Sequence, residues 1–341
     1  MLDEWLTLNL SCPRDGQELE RINDELVCPA EHHFPVVDGI PVLLMGDIDP
    51  TLHVLTSSIA AARQQKRTDG HLFLETLGID GDQRRAVLED FLNDASEIDP
   101  AINYLIAHTN GILYKHLVGR LPAYPIPEID LPEGNDGYFL DVGCSWGRWS
   151  MAAARKGYLP VGIDPSLGAV MAGRRAARRL GLDIKWVVGD ARYLPFKDSV
   201  FDVVYSYSVL QHFRLEDLKA ALGETRRILK PNGCVQIQLA NQYGIRSLYH
   251  QMRRGFRAPR GFEVRYLKPK TIKALFSQSD YRTEIRSDCY FGLGLQKADS
   301  YLMPFWKRVL LHGSELLKRM SYRLTALRLI ADSVFLIASP R

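Results

Sequence analysis

Leu140-Asp-Val-Gly-Cys-Ser-Trp-Gly147 decides the fold of this 341-residue chain. A short apolar strand, Tyr138-Phe-Leu-Asp-Val142, runs into two glycines, and residues 148–155 follow with helical spacing. Glycine at a strand-to-helix turn lets the backbone approach a ligand, and the helix N-terminus offers unpaired N–H groups to an anion. The same glycines also serve close packing of helix on strand, so the loop alone leaves both readings open.

Downstream the pattern repeats. Val161-Gly-Ile163 is a second strand, and Ser166 can cap a helix that stops at Gly181. Lys185-Trp-Val-Val188, Phe201-Asp-Val-Val-Tyr205 and Cys234-Val-Gln-Ile-Gln-Leu239 supply three more strands, with a helix over 215–229. Strands alternating with helices predict an α/β, doubly wound parallel sheet. Asp164 ends the second strand, where a carboxylate can accept hydrogen bonds from both hydroxyls of a ribose. Asp190 follows the third strand and can accept from an adenine amino group while the next N–H reaches a ring nitrogen. An aspartate after a strand is also a common cap or turn former. With the glycine loop and Ser206-Tyr-Ser-Val-Leu-Gln-His-Phe213 after the fourth strand, these make four positions on successive strand ends, which favours a ligand site.

Leu140–Gly147, Gly162-Ile-Asp164, Gly189-Asp-Ala191, Phe201-Asp-Val-Val204 and Arg227-Ile-Leu-Lys-Pro-Asn-Gly233 carry a resemblance. The series resembles the class I S-adenosylmethionine-dependent methyltransferases, most closely the branch that modifies small molecules, lipids and quinones. The resemblance spans about 136–240. It implies S-adenosylmethionine as cofactor and a seven-stranded Rossmann-like sheet whose last strand, Ala331-Asp-Ser-Val-Phe-Leu-Ile-Ala338, is antiparallel. It also implies cofactor contacts from Asp141, Gly143, Cys144, Ser145 and Gly147 on the first loop. The later contacts are Asp164, Pro165, Asp190, Ala191, Ser206 and Gln211. Ser145 stands where the family has its middle glycine. A nicotinamide dehydrogenase would place glycines at Ser145 and Arg148, which this chain lacks.

The acceptor is read less directly. The fourth strand is not followed by Asn/Asp-Pro-Pro-Tyr, the family signature for nitrogen methylation, nor by a Pro-Cys pair. His212 is the best-placed base for a hydroxyl or acidic carbon, with a packing residue as the alternative. Tyr207, Tyr243, Arg246 and Arg265 are the substrate candidates, the last three in a lid over about 242–270. Its arginines suit a carboxylate, a phosphate or a phospholipid surface, or form a solvated basic loop. Residues 301–330 read as a helical insertion with a core-facing apolar side; a membrane-surface helix is the alternative. Arg174, Arg175, Arg178 and Arg179 read as a solvated helix face.

The first 45 residues read as a small β ribbon and 46–135 as a helical segment, with the methyltransferase-like domain over 136–341. Leu121-Pro-Ala-Tyr-Pro-Ile-Pro-Glu-Ile-Asp-Leu-Pro132 is the connector. Cys12-Pro-Arg-Asp15 and Cys28-Pro-Ala-Glu-His32 resemble the knuckles of zinc-ribbon activators of methyltransferases and of ribbons fused to bacterial rRNA guanine methyltransferases. That implies zinc at Cys12, Asp15, Cys28 and His32. Asp15 replaces an expected thiolate, so a ribbon that kept its fold and lost its metal is the alternative. The ribbon makes RNA methylation the second functional reading. A non-catalytic cofactor- or partner-binding protein is the third.

Charge is unevenly spread. Residues 1–136 hold 9 Lys/Arg and 24 Asp/Glu, whereas 245–330 hold 18 and 6. The acidic front can face basic segments within the fold, or the basic segment can meet an acidic partner. Five cysteines do not suggest a disulfide scaffold. The acidic start lacks the pattern of a secretory leader, and no apolar run approaches the roughly 20 residues of a membrane span. The expectation is a cytoplasmic protein.

Overall fold

The computed structural model describes residues 2–64, 71–93, 97–276, 281–292 and 296–340. The N-terminal strands are β1 (Glu20–Ile22), β2 (Glu25–Val27), β3 (His33–Val37) and β4 (Ile40–Leu43). The later strands are β5 (Tyr138–Val142), β6 (Leu159–Asp164), β7 (Lys185–Gly189), β8 (Phe201–Tyr207), β9 (Leu229–Ala240), β10 (Tyr281–Cys289) and β11 (Ser333–Pro340). They form one mixed sheet in the order β1-β2-β3-β4-β7-β6-β5-β8-β9-β11-β10. The sheet has eleven strands, because the four strands of the ribbon, expected as a separate small unit beside a seven-stranded sheet, continue it at the β7 edge. The ribbon does not stand apart: β4 pairs in parallel with β7, Val42 opposite Val188 and Leu43 opposite Gly189. An edge that would present unpaired N–H and C=O groups is thereby covered. β7, β6, β5, β8 and β9 are mutually parallel, and β11 runs antiparallel between β9 and β10.

The helices are α1 (Glu4–Asn9), α2 (His53–Arg63), α3 (Gly81–Leu92), α4 (Pro100–Thr109), α5 (Arg148–Arg155), α6 (Leu167–Arg179), α7 (Leu215–Ile228), α8 (Ile245–Arg253), α9 (Pro269–Phe276), α10 (Phe305–Ser321) and α11 (Leu327–Ile330). Local chemistry sets their starts. Asp80 and Gln83 form a capping box on α3, Asp99 accepts from Ala101 N–H ahead of α4, and Ser166 caps α6. The period of two along the strands divides the core. Phe139 and Val203 join the cluster beneath α2–α6, whereas Leu140 and Val204 join the opposite one with α7 and α9. Trp5 of α1 stacks on Tyr138 at 4.7 Å, which holds the chain's start against β5.

The helix expected to show a solvated arginine face does otherwise. On α6, Arg175 pairs with Asp99 at 2.5 Å and Arg174 lies 3.6 Å from Asp38, while Arg179 donates to the Glu97 carbonyl. Part of the acidic front is thus neutralised by the basic middle. The position of β10 was not located in the sequence; its edge position leaves it half exposed, so its sequence lacks the apolar run of a buried strand.

Candidate active site

The loop after β5 is built on left-handed backbone. Gly143, Ser145 and Gly147 have φ of 75°, 49° and 78°. A Cβ on Gly143 would stand 2.4 Å from Val209, and one on Gly147 would stand 2.3 Å from the Trp186 ring. Ser145 adopts the same backbone without glycine, at roughly 1–2 kcal/mol. Its N–H donates to Asp164 Oδ2 at 2.9 Å, which holds the turn in place.

Asp141 lies beneath this loop. It is buried, and its carboxylate accepts from Ser150 N–H (3.0 Å) and Oγ (2.8 Å). Burial pushes its carboxyl up to about 7 against these bonds. Asp141 fixes the first turn of α5 and lies behind the cavity wall, not on it. Ser206 is also behind the wall: it is buried and donates to the Val142 carbonyl at 3.0 Å, bracing β8 against β5. Gly147 also stands behind the wall.

That cavity measures about 620 Å³, within the roughly 300–1,000 Å³ of small-molecule sites. Gly143, Cys144 and Ser145 form one part of its wall, and Asp164 with Pro165 another. Asp190, Ala191 and Gln211 close that end. Asp164 accepts one N–H on each oxygen, from Ser145 and from Ser166 at 2.9 Å each. A carboxylate has about four acceptor positions, so room remains for two hydroxyls. Burial raises this carboxyl to about 6, and the two N–H groups oppose that. Asp190 is not the free acceptor that its position suggested. Arg192 donates to it from Nε and from its own N–H, and the Arg192 guanidinium also reaches Asp217 (3.0 Å) and the Asp49 carbonyl (2.9 Å).

The other end of the cavity is aromatic. The Tyr207 ring lies 4.5 Å from that of Trp149, and its hydroxyl donates to Asp288 at 2.9 Å. Arg246 lines this end; its N–H donates to Asp332 Oδ1 at 2.6 Å, and its guanidinium makes a 3.4 Å bond to the Phe291 carbonyl and a 3.4 Å contact with His250. No carboxylate lies within 4.0 Å of its guanidinium among the described residues. Tyr243 and Arg265 are off the wall. Tyr243 is exposed, and the Arg265 guanidinium is spent on the carbonyls of His212, Gly261 and Glu263. His108, Asn110 and Phe262 also line the wall and were missed. Asn110 follows α4 as a C-cap, its ordinary reading, yet it is buried with no partner for Nδ2 among the described residues.

His212 reaches the cavity with little basicity. Its Nδ1 donates to the Phe262 carbonyl at 2.6 Å, and its ring lies flat on the Phe262 ring at 4.0 Å. Burial pulls it down to about 4, so it is neutral at neutral pH and a weak proton acceptor.

Far from the cavity, Cys12, Asp15, Cys28 and His32 bring four ligand atoms within 4.8 Å of one another. His32 Nδ1 lies 3.1 Å from Asp15 Oδ2, 3.2 Å from Cys28 Sγ and 3.5 Å from Cys12 Sγ; Cys28 Sγ lies 3.5 Å from Asp15 Oδ2. The bond lengths of tetrahedral zinc give ligand–ligand edges of about 3.3–3.8 Å. The donor set fits such an ion.

Residues 139–233 match the family model described as a methyltransferase domain. S-adenosylmethionine is the cofactor of a methyltransferase of this type. The matched segment holds the loop, Asp164 and Asp190. The chain is 27% identical over 150 residues to a ubiquinone biosynthesis O-methyltransferase of Brucella ovis, covering 42% of this chain and 59% of that protein. It is 30% identical over 103 residues to the protein of that name from Azorhizobium caulinodans, covering 30% and 40%. The chain thus spans less than two thirds of the length of these relatives. A solved S-adenosylmethionine-dependent methyltransferase from Methanosarcina mazei is 20% identical, with 62% of this chain and 94% of that one covered and a TM-score of 0.44.

Proposed function

We propose that the chain transfers the methyl group of S-adenosylmethionine to a small, lipid-like acceptor that carries an anionic group. One observation supports this reading most: a single cavity joins the glycine loop and Asp164 to an aromatic chamber with one unpaired arginine. In this reading the Gly143–Ser145 backbone and the start of α5 hold the methionine part. Asp164 holds the ribose, and Ala191 with the Asp190–Arg192 pair borders the adenine. Bound there, the cofactor supplies an electrophilic methyl group. Trp149, Tyr207 and Phe262 hold the acceptor's apolar body and exclude water, while Arg246 fixes its anionic end. Alignment of nucleophile and methyl is the main requirement of such a transfer. The names of the relatives make an oxygen nucleophile on a quinone-type molecule the first acceptor to try.

Labelled S-adenosylmethionine incubated with the chain and fractionated lysate tests this. Label is expected in the lipid and small-molecule pools. Label confined to RNA would replace the acceptor class, and cofactor binding without any transfer would favour a binding protein.

We also assign a zinc-class ion to Cys12, Asp15, Cys28 and His32, within a proposed ribbon unit over residues 1–45. Elemental analysis should find about one zinc per chain, and chelation should lower the melting temperature, because the ion's binding energy is folding energy. Metal-free protein of equal stability would refute the site.

A further inference from the structure

Two helices beside the cavity are turned inside out. α8 buries Ser247 and Gln251, while Ile245, Leu248, Tyr249 and Met252 are 37–57% exposed. Their spacing makes one apolar stripe, which a surface helix ordinarily turns to the core. α10 repeats the inversion. It buries Lys307, Leu311, Ser314 and Ser321, and exposes Phe305 (74%), Trp306 (57%) and Val309 (55%). This corrects the expectation that its apolar side faces the core.

Polar pegs fix the orientation. Ser247 Oγ donates to the Asp332 carbonyl, and Gln251 Nε2 donates to the Gln242 and Ser247 carbonyls. Lys307 Nζ donates to the Leu113 carbonyl, and Ser314 Oγ accepts from Tyr290 N–H. Rolling either helix to hide its stripe would break the bonds to Asp332, Gln242, Leu113 and Tyr290 and bury unmatched polar groups. Both helices are anchored to one turn: Ser314 through Tyr290, and Arg246 through Phe291. The inner side of α8 supplies Arg246, Ser247 and His250 to the cavity wall, so its bare stripe lies one helix thickness outside the site.

We propose that this face docks on an anionic lipid bilayer. The apolar stripes enter the boundary between headgroups and acyl chains, and the aromatic side chains suit that depth. The surrounding charge matches anionic lipid. Residues 245–330 hold 18 Lys/Arg against 6 Asp/Glu. Arg253, Arg260, Arg308, Arg319 and Arg323 are exposed, with no acidic partner within 4.0 Å among the described residues. A second copy meeting this face across a two-fold axis would set the same basic surface against itself. Docking would present the α8 wall to a membrane-held acceptor. The surface stands on the helices alone, and its test reads binding rather than transfer, so it can fail separately from the proposed reaction.

The full chain is sedimented with phosphatidylcholine vesicles and with vesicles that also contain phosphatidylglycerol. Preferential binding to the anionic vesicles is expected. A quadruple variant, Leu248→Ser, Met252→Ser, Phe305→Ser and Trp306→Ser, changes only exposed side chains and should bind about tenfold or more weakly. Absence of binding to anionic vesicles at low salt would overturn the proposal, as would equal binding by a variant with the parent's circular dichroism. A parent dimer in light scattering that these substitutions dissociate would assign the face to a second copy instead.

Discussion

Asp164→Ala is expected to weaken S-adenosylmethionine binding by a factor of several hundred, measured by titration calorimetry. A hydrogen bond to a charged group contributes about 1.5–3 kcal/mol, and the proposed contact has two. Asp164 also accepts from Ser145 and Ser166 N–H, so its removal frees a loop that already holds a left-handed serine. The fold should not suffer in proportion. Its carboxyl is raised from 3.8 to about 6 by burial, so the native chain binds this proton more tightly than the unfolded chain does. Stability attached to this group is therefore fully present below pH 3.8 and lost as pH rises through about 6. At neutral pH, Asp164→Asn should melt no lower than the parent while still binding the cofactor poorly. The same proton gives the parent a pH profile. Hydroxyl donors favour the ionised carboxylate, so affinity should fall below pH 6, by about tenfold at pH 5. Tight binding by Asp164→Ala, or a flat profile from pH 7.5 to 5, would remove Asp164 from the proposed site.

Asp164 was legible in the sequence because its strand, its position and its carboxylate lie in one short segment. Gly143 and Gly147 were legible for the same reason, and their close approaches to Val209 and Trp186 show that packing and ligand access share the loop. Asp190 was only half legible. Its place after β7 was visible, but the fork that Arg192 makes with it depends on rotamers. His108 and Asn110 reach the wall from α4, about 35 residues before the loop, and nothing local marks that approach. Tyr243 and Arg265 were singled out for chemistry and lid position, which do not say where a side chain turns. The inversion of α8 and α10 has the clearest physical cause. A helical period locates an apolar stripe but carries no sign for inside and outside. That sign came from Ser247, Lys307 and Ser314, whose partners lie at long range.

Asp299→Ala should lower stability by about 3–5 kcal/mol, the range for breaking one side of a buried ion pair. Asp299 is 1% exposed, and its Oδ2 accepts from Arg148 at 3.1 Å and from the Tyr114 hydroxyl. Three distant parts of the chain meet there: Tyr114 from the helical segment, Arg148 from the start of α5, and Asp299 from the connection ahead of α10. Arg148 is itself 5% exposed, and its guanidinium sits 5.9 Å from the Tyr114 ring and 5.7 Å from the Trp149 ring. Without Asp299 that charge is left in an aromatic box with its remaining contacts neutral. At roughly 2–4 °C per kcal/mol for a large domain, a melting shift of about 10 °C should follow. Asp299→Asn should recover part of it, since a side-chain oxygen can still accept from Arg148. The double variant Arg148→Met, Asp299→Leu separates the pair from its surroundings. If the penalty comes from an uncompensated charge, the double variant should melt well above Asp299→Ala, because an apolar pair of similar volume removes the desolvation term. If the double variant melts as low as the single one, the pair's role is to shape the wall that Arg148 and Trp149 give the cavity, and the charge argument fails.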